Sequence, residues 1–468
     1  MWLATAVYVA VFSYLMLKRH AGFGTQAFDL GIFDQGLWLL SRFKNPFVTL
    51  RGLNLFADHA SYIMFPLAPL YWVWPDVRAL IIVTNLALAA GAPLVFRIAK
   101  GEGLGDYMAL ALAVAYLLHP ATGWNAWDSF HPEIFALPLI LGSYLAARSG
   151  RHAMATVLLI TILLVKEDAF LVVLPLAWIL AWRFKAPRIA GWAFIAAGLV
   201  TWLSFSVVLP GLSPTGELLY GGRYARFGGS LDEVIRSVLL RPGEVAAEMA
   251  TARSVSYLAA MVLPLFLSLA APEFLLVGVP ITLANLLSGH TYQAEIRYHY
   301  TVYLLALVAL ATCIGAGRLA RDRYLPGWLL GWVIGAAVFA NLAVGPWPSP
   351  DRGDPWVRDP NPDVIQAQIE RVPHDAVVSV DWLIAPHMAH RERIYVFENP
   401  FEAANWGAPG EEPPPADDVE WVIAHTSIVT GDEERGTVRV FSALLEDPAW
   451  ELVYGDESVM VLRRVSSD

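Results

Sequence analysis

AMATVLLITILLVKEDAFLVVLPLAWILAWRFKAPRIAGWAFIAAGLVTWLSFSVVL, residues 153–209, holds three apolar runs and two short charged breaks. A chain in hydrocarbon must satisfy its own backbone hydrogen bonds, so such runs read as membrane helices. The breaks differ in sign. Lys166-Glu167-Asp168 is net acidic, whereas Arg183, Lys185 and Arg188 make the next break basic. Short basic loops stay on the cytoplasmic face. This one stretch therefore gives both a fold class and an orientation.

Further apolar segments fall at 2–18, 77–97, 106–119, 134–147, 255–271, 273–289, 300–317 and 325–344. With the first three they predict a polytopic α-helical membrane protein of about eleven transmembrane helices. Segments near 134–182 are shorter than the ~20 residues of a straight span, and read as extending into loops or crossing part of the bilayer. Residues 2–17 lack a basic leader and a cleavage site, so they read as a first helix that stays. The loops with Arg97 and Lys100, Arg148 and Arg151, Arg183 to Arg188, and Arg318, Arg321 and Arg323 all fall on one side. That side is cytoplasmic by the same rule, which puts the N-terminus inside and a multi-pass chain in the cytoplasmic (inner) membrane. Lys18, Arg19, Arg223, Arg226 and Arg236 vote the other way, but long loops count little.

The composition agrees with two solvents. The 468 residues are 56% hydrophobic and 16% charged, against roughly 25% charged in soluble domains. The net charge of −10 is concentrated near the C-terminus and does not suit a nucleic-acid partner. The transmembrane part reads as 1–345, with a first outer loop at 19–76. Residues 346–364 form a Pro-, Asp- and Trp-rich linker. Residues 365–468 alternate like a small extracytoplasmic α/β domain. Strands are expected at 376–380, 394–397 and 419–424, a helix within 438–445, and a hairpin of 451–454 with 458–463. A helical stretch at 382–390 would put His387 and His390 on one face, where packing is the plainer role. The single cysteine, Cys313, excludes an intrachain disulfide and a cysteine metal site. Trp72, Trp74, Trp182 and Trp347, at ends of apolar runs, read as interface anchors.

The unusual polar residues gather on the outer side. Leu30, Phe33, Leu37 and Leu40 repeat at helical spacing, as in an amphipathic helix lying along the membrane surface. Asp29 there suits an N-cap, whereas Asp34 lies too deep in the helix for capping. Asp58 and His59 close the loop. Asp128, His131 and Glu133 sit between two membrane segments, and their donor atoms suit a divalent ion such as Mg²⁺, Mn²⁺ or Zn²⁺. A solvated loop is the bland reading, set against the cost of ionisable groups near lipid. Lys166, Glu167 and Asp168 are either punctuation or a phosphate and cation contact. Arg223 and Arg226, flanked by glycines, suggest a mobile basic loop able to close on an anion; a plain connector is the alternative. Glu295, Arg297 and His299 enter another helix from the same side.

These stretches, FDLGIFDQGLW (28–38), Asp58–His59, FHPEIFA (130–136), KED (166–168), RYHY (297–300) and APHMAHRERIYVF (385–397), resemble the DUF2079 family of membrane proteins, a domain of unknown function. The organisation also resembles GT-C class membrane glycosyltransferases. That resemblance implies transfer of a sugar from a polyprenyl-phosphate donor to an acceptor on the extracytoplasmic side. It gives Asp29 or Asp34 the part of base or orienting group. Lys166, Arg223, Arg226 and Arg297 would neutralise phosphate, and Asp128, His131 and Glu133 would hold the metal. Gln35, Asp58, His59, Glu167, Asp168 and His299 join the substrate-binding set. The bilayer and a lipid-linked sugar are the expected partners. A transporter or flippase, and a non-catalytic assembly protein, are the rival readings; absence of a visible internal repeat weighs against the first.

Overall fold

The computed structural model describes residues 1–229, 231–322, 327–432 and 434–465. Arg323 and the start of the segment expected at 325–344 lie outside them. Among the described residues, five helices are long and apolar enough to cross a membrane: Val77–Gly101, Pro187–Leu212, Ala252–Ala270, His299–Arg321 and Gly327–Val344. Shorter apolar helices cover Asp106–Leu117, His152–Leu163 and Phe170–Arg183, and the chain opens with helix Trp2–Ala21. His299–Arg321 is the hub, with 89% of its most apolar stretch buried, against 22% for Pro187–Leu212 and for Gly327–Val344.

Prolines break two of the expected spans. The segment expected at 255–271 passes from α-helix Ala252–Val262 into 3-10 helix Leu263–Ala270. Pro264, at that junction, cannot donate to the preceding turn. The segment at 273–289 is two short helices, Pro272–Val277 and Val279–Leu287, each with proline in its first turn. Two loops are helical instead. His119 caps helix Pro120–Trp127 by accepting from the Ala121 amide at 3.1 Å. The outer loop expected at 210–254 contains helices Leu231–Leu240 and Pro242–Met249; LDEVIRSVLL is itself amphipathic at helical spacing.

Three of the four basic loops each send an arginine to Glu102, which lies beside the fourth and whose side chain has no exposure. Glu102 accepts from the Tyr144 hydroxyl and from Arg148 Nη1, each at 2.6 Å. Arg321 and Arg183 stand 3.4 and 3.7 Å away. The carboxylate seats this closely because Gly317 has no Cβ; one would lie 2.6 Å from the Glu102 Cβ. Burying a carboxylate is costly, and this one is stable only because several cations meet it.

The C-terminal part builds a five-stranded sheet. After a short ribbon in the first loop, β1 (Phe47–Val48) against β2 (Leu53–Asn54), come β3 (Val378–Val380), β4 (Ile394–Val396), β5 (Trp421–His425), β6 (Trp450–Gly455) and β7 (Val459–Arg464). The order is β4-β3-β5-β7-β6. β3 runs parallel to β4 and β5, while β7 is antiparallel to β5 and β6. Helix Gly436–Glu446 connects the parallel half to the hairpin. The helix expected at 382–390 shrinks to Ala385–Met388. Asp381 Oδ1 accepts from the Leu383 and Ile384 amides there, and so holds a tight turn instead. The linker expected at 346–364 ends within helix Pro362–Ile369.

The amphipathic helix does not lie free on a membrane surface. It is Ile32–Ser41, and Asp34 and Gln35 on its polar side are 1% and 0% exposed. The C-terminal part covers that side. Gln35 Nε2 donates to the Arg391 carbonyl at 3.1 Å, and the Ala27 amide donates to the Trp382 carbonyl at 2.7 Å. Glu102→Ala should therefore leave three arginines facing one another, at a cost on the order of 3 kcal/mol. A thermal melt in detergent should show a markedly lower midpoint than for Asp106→Ala, whose carboxylate is largely exposed.

Candidate functional site

At the end opposite Glu102, residues from five distant stretches form one polar cluster. The turn Ala27–Gly31 presents Asp29, whose φ of 68° and ψ of −75° are those of a rare, strained γ-turn. Its carboxylate caps nothing. It lies 3.3 Å from His131 Nε2, with its side chain 47% exposed. Asp128 follows helix Pro120–Trp127, and its Oδ2 accepts from the His299 amide at 2.8 Å and from His299 Nδ1 at 3.0 Å. The rings of His131 and His299 stack with centroids 3.6 Å apart. Glu133 accepts from Lys166 Nζ at 2.6 Å, both side chains almost wholly buried. Glu167 accepts from His59 Nδ1 at 2.8 Å and from the Ala60 amide at 3.0 Å. Asp168 faces the Tyr303 hydroxyl at 3.4 Å.

The cluster sorts its charges. Burial alone would lower the His131 pKa, but Asp29, Asp128 and Glu133 raise it to about 9. Burial works against ionised Asp29, weakly for so exposed a side chain; the His131 charge, then His299, hold it well below the usual carboxylate range. Burial would also raise Glu133, yet Lys166 and the two histidines keep it far down. Lys166 is pushed down by burial and lifted well above its usual value by Glu133 and Asp168. Asp168 goes the other way, up to about 6, because burial and its neighbours Glu167 and Glu133 outweigh Lys166.

Of the residues expected to hold a metal, Asp128 and His131 stand together with His299, one donor atom from each lying within 4.8 Å of the others, while Glu133 is turned to Lys166. Both ring nitrogens of His131 are buried without a directed hydrogen bond. Two imidazoles and a carboxylate fit a borderline divalent ion such as Zn²⁺ or Mn²⁺.

The other expected residues divide. Asp58 accepts from the Tyr220 hydroxyl. Arg223 stacks over the Tyr220 ring at 3.9 Å, its Nε buried and unpartnered, and Tyr220 stacks on His59 at 5.0 Å. That chain of contacts joins Arg223 to the cluster. Arg226 instead pairs with Glu248 on the exposed surface, so its charge is already spent. Arg297 lies over Trp124 at 5.5 Å. Asp34 belongs elsewhere. It accepts from the Tyr71 hydroxyl and from His390 Nε2 at 3.0 Å, and is sealed from ligand. Gln35 is equally sealed and bonds Thr49 at 2.9 Å. His387 packs between His20 and Phe23, while His390 reaches Asp34, a partner its sequence spacing did not reveal. Arg19 is no topology signal; it is buried and donates to the Trp127 carbonyl at 2.8 Å.

A many-helix membrane bundle with a polar site at one end, roofed by a mixed sheet, defines a multi-pass membrane protein. The chain belongs to the family described as "Predicted membrane protein (DUF2079)", whose model matches residues 19–452. The fold is similar to that in "Crystal Structure of ArnT from Cupriavidus metallidurans bound to Undecaprenyl phosphate", with a TM-score of 0.60 and 14% identity over 99% of this chain and 98% of that one. No curated protein matches the sequence.

The His131 charge fixes a pH dependence. A pKa raised from its ordinary value to about 9 contributes stability that is complete below roughly pH 6.5 and lost as pH rises through 9. Metal-free protein should melt at progressively lower temperature between pH 7 and 10. His131→Gln should flatten that alkaline limb; an unchanged limb would show that His131 is neutral.

Proposed function

We propose that the protein is a membrane glycosyltransferase, transferring a sugar from a polyprenyl-phosphate donor to an acceptor hydroxyl on the extracytoplasmic side. The observation that carries this reading is Asp29. It follows the first helix, is half-exposed in a strained turn, and is charged by a buried His131. Similarity to the fold of a protein bound to undecaprenyl phosphate supports the donor class.

Breaking the bond from sugar carbon to phosphate oxygen leaves a cation-like sugar. The acceptor oxygen then needs little base strength, so an Asp of low pKa suffices to orient the hydroxyl and take its proton late. Arg223, in no ion pair among the described residues and linked to Glu167 through Tyr220 and His59, is placed to meet the departing phosphate. A divalent ion held by Asp128, His131 and His299 would supply further positive charge there. Lys166 and Glu133 serve as the fixed floor, and Arg226 has no part. An apolar cavity of about 480 Å³ with Phe43, Phe56, Phe65 and Trp72 in its wall suits the polyprenyl chain. The remaining short apolar helices complete about eleven spans. The Glu102 end, gathering the basic loops, is then cytoplasmic, and residues 365–468 form a water-facing domain outside.

The test is reconstitution in nanodiscs with short-chain polyprenyl-phosphate sugars, with and without Mn²⁺. Asp29→Asn keeps the backbone tolerance and should lower transfer roughly a thousand-fold. Asp34→Asn should lower the melting temperature while keeping turnover within about tenfold of wild type. Full transfer by the Asp29 variant would overturn the assignment. Donor movement across a bilayer without transfer would favour a flippase.

A further inference from the structure

A second cavity, of about 540 Å³, opens where the first helix, the linker and the C-terminal sheet meet. That volume is within the roughly 300–1,000 Å³ of small-molecule sites. Its wall carries four arginines, Arg19, Arg297, Arg352 and Arg358. Arg19 and Arg352 donate only to neutral oxygens, the carbonyls of Trp127 and Ala343 and the Ser349 hydroxyl, and Arg19 Nε is buried without a partner. Arg297 rests on an indole. Arg358 lays its stem over Gly22, where a Cβ would come within 2.5 Å of it. Among the described residues, none of the four is in an ion pair. The two acids in the wall are engaged by backbone: Asp354 accepts from the Trp356 amide at 2.9 Å and Asp359 from the Asn361 amide at 2.7 Å. Backbone amides do not cancel their charge, but four guanidiniums against two carboxylates leave the wall net positive.

Four tryptophans also line the space, Trp124, Trp127, Trp347 and Trp382, with Arg19 over the Trp127 ring at 4.4 Å. His425, 4% exposed, lines it with an Nε2 that has no hydrogen-bond partner and stands 3.6 Å from Asp359. Indole faces take the C–H face of a pyranose ring, and guanidinium groups take a phosphate or carboxylate in a planar fork. We propose that this cavity binds a saccharide bearing a phosphate or carboxylate group. The cavity also abuts the polar cluster. Trp127 precedes Asp128, and Gln26, in the wall, precedes the turn carrying Asp29. On the glycosyltransferase reading, which this step rests on, the bound saccharide is the acceptor.

Calorimetry on the full chain in nanodiscs tests it with glucose 6-phosphate, glucuronic acid, glucose and inorganic phosphate. At least one anionic sugar should bind about tenfold or more tighter than both glucose and inorganic phosphate, as expected for a charge-assisted contact added to ring packing. Preference for glucose 6-phosphate or for glucuronic acid identifies the group recognised. Arg358→Gln and Trp382→Ala should each weaken that binding about tenfold with unchanged melting temperature, and Trp382→Phe should restore it. Equal binding by inorganic phosphate, equal binding by glucose, or no binding overturns the proposal. Asp29→Asn should leave this binding intact. Binding without transfer from any polyprenyl donor would overturn the enzymatic reading and leave the saccharide site standing. Transfer with an unchanged acceptor KM in the Arg358 and Trp382 variants would overturn the acceptor role alone.

Discussion

The ion pair of Lys166 with Glu133 is the fixed point of the polar end. Both side chains are almost wholly buried, 2.6 Å apart. Neither could be buried alone, because an unpaired charge in such a place costs several kcal/mol. Once they are paired, the neighbouring charges are no longer free to take any state. Asp29 and Asp128, with Glu133 behind them, call for a proton on His131, His59 holds Glu167 down with help from Lys166, and burial with Glu167 and Glu133 pushes Asp168 up. The pair is a deeply buried link in a row of charged groups from Asp29 to Asp168.

The sequence makes the apolar runs and the clustering of basic loops plain, and Glu102 shows why the latter is a physical signal. Arginines from separate loops share one buried carboxylate at one end of the bundle. What could not be read is what covers what. The periodicity of 28–41 shows a two-faced helix, but period says nothing of the second partner. That partner, more than three hundred residues away in sequence, turns the polar face inward and locks Asp34 to His390. The same limit hid His299, on the hub helix, as a spatial neighbour of Asp128, His131 and Glu133. Arg19, His425 and Trp382 carry no local signal, since each matters only where the C-terminal part meets the first helix.

The two acids of the first loop show how position, not residue type, assigns chemistry. Asp34, in a regular helix, is satisfied by a tyrosine and a histidine, and serves to pin the sheet region onto the bundle. Asp29, five residues earlier, is in a turn with φ of 68° and keeps 47% of its side chain exposed. Strain of this kind costs roughly 1–3 kcal/mol and persists only where surrounding contacts enforce it. Here the enforcement is visible. The Ala27 amide is held by the Trp382 carbonyl, and the helix beginning at Ile32 is clamped through Gln35 to Arg391. The C-terminal part is therefore more than a roof. By gripping both sides of the turn it holds Asp29 toward His131, and the geometry of the polar end depends on that grip as much as on the buried ion pair.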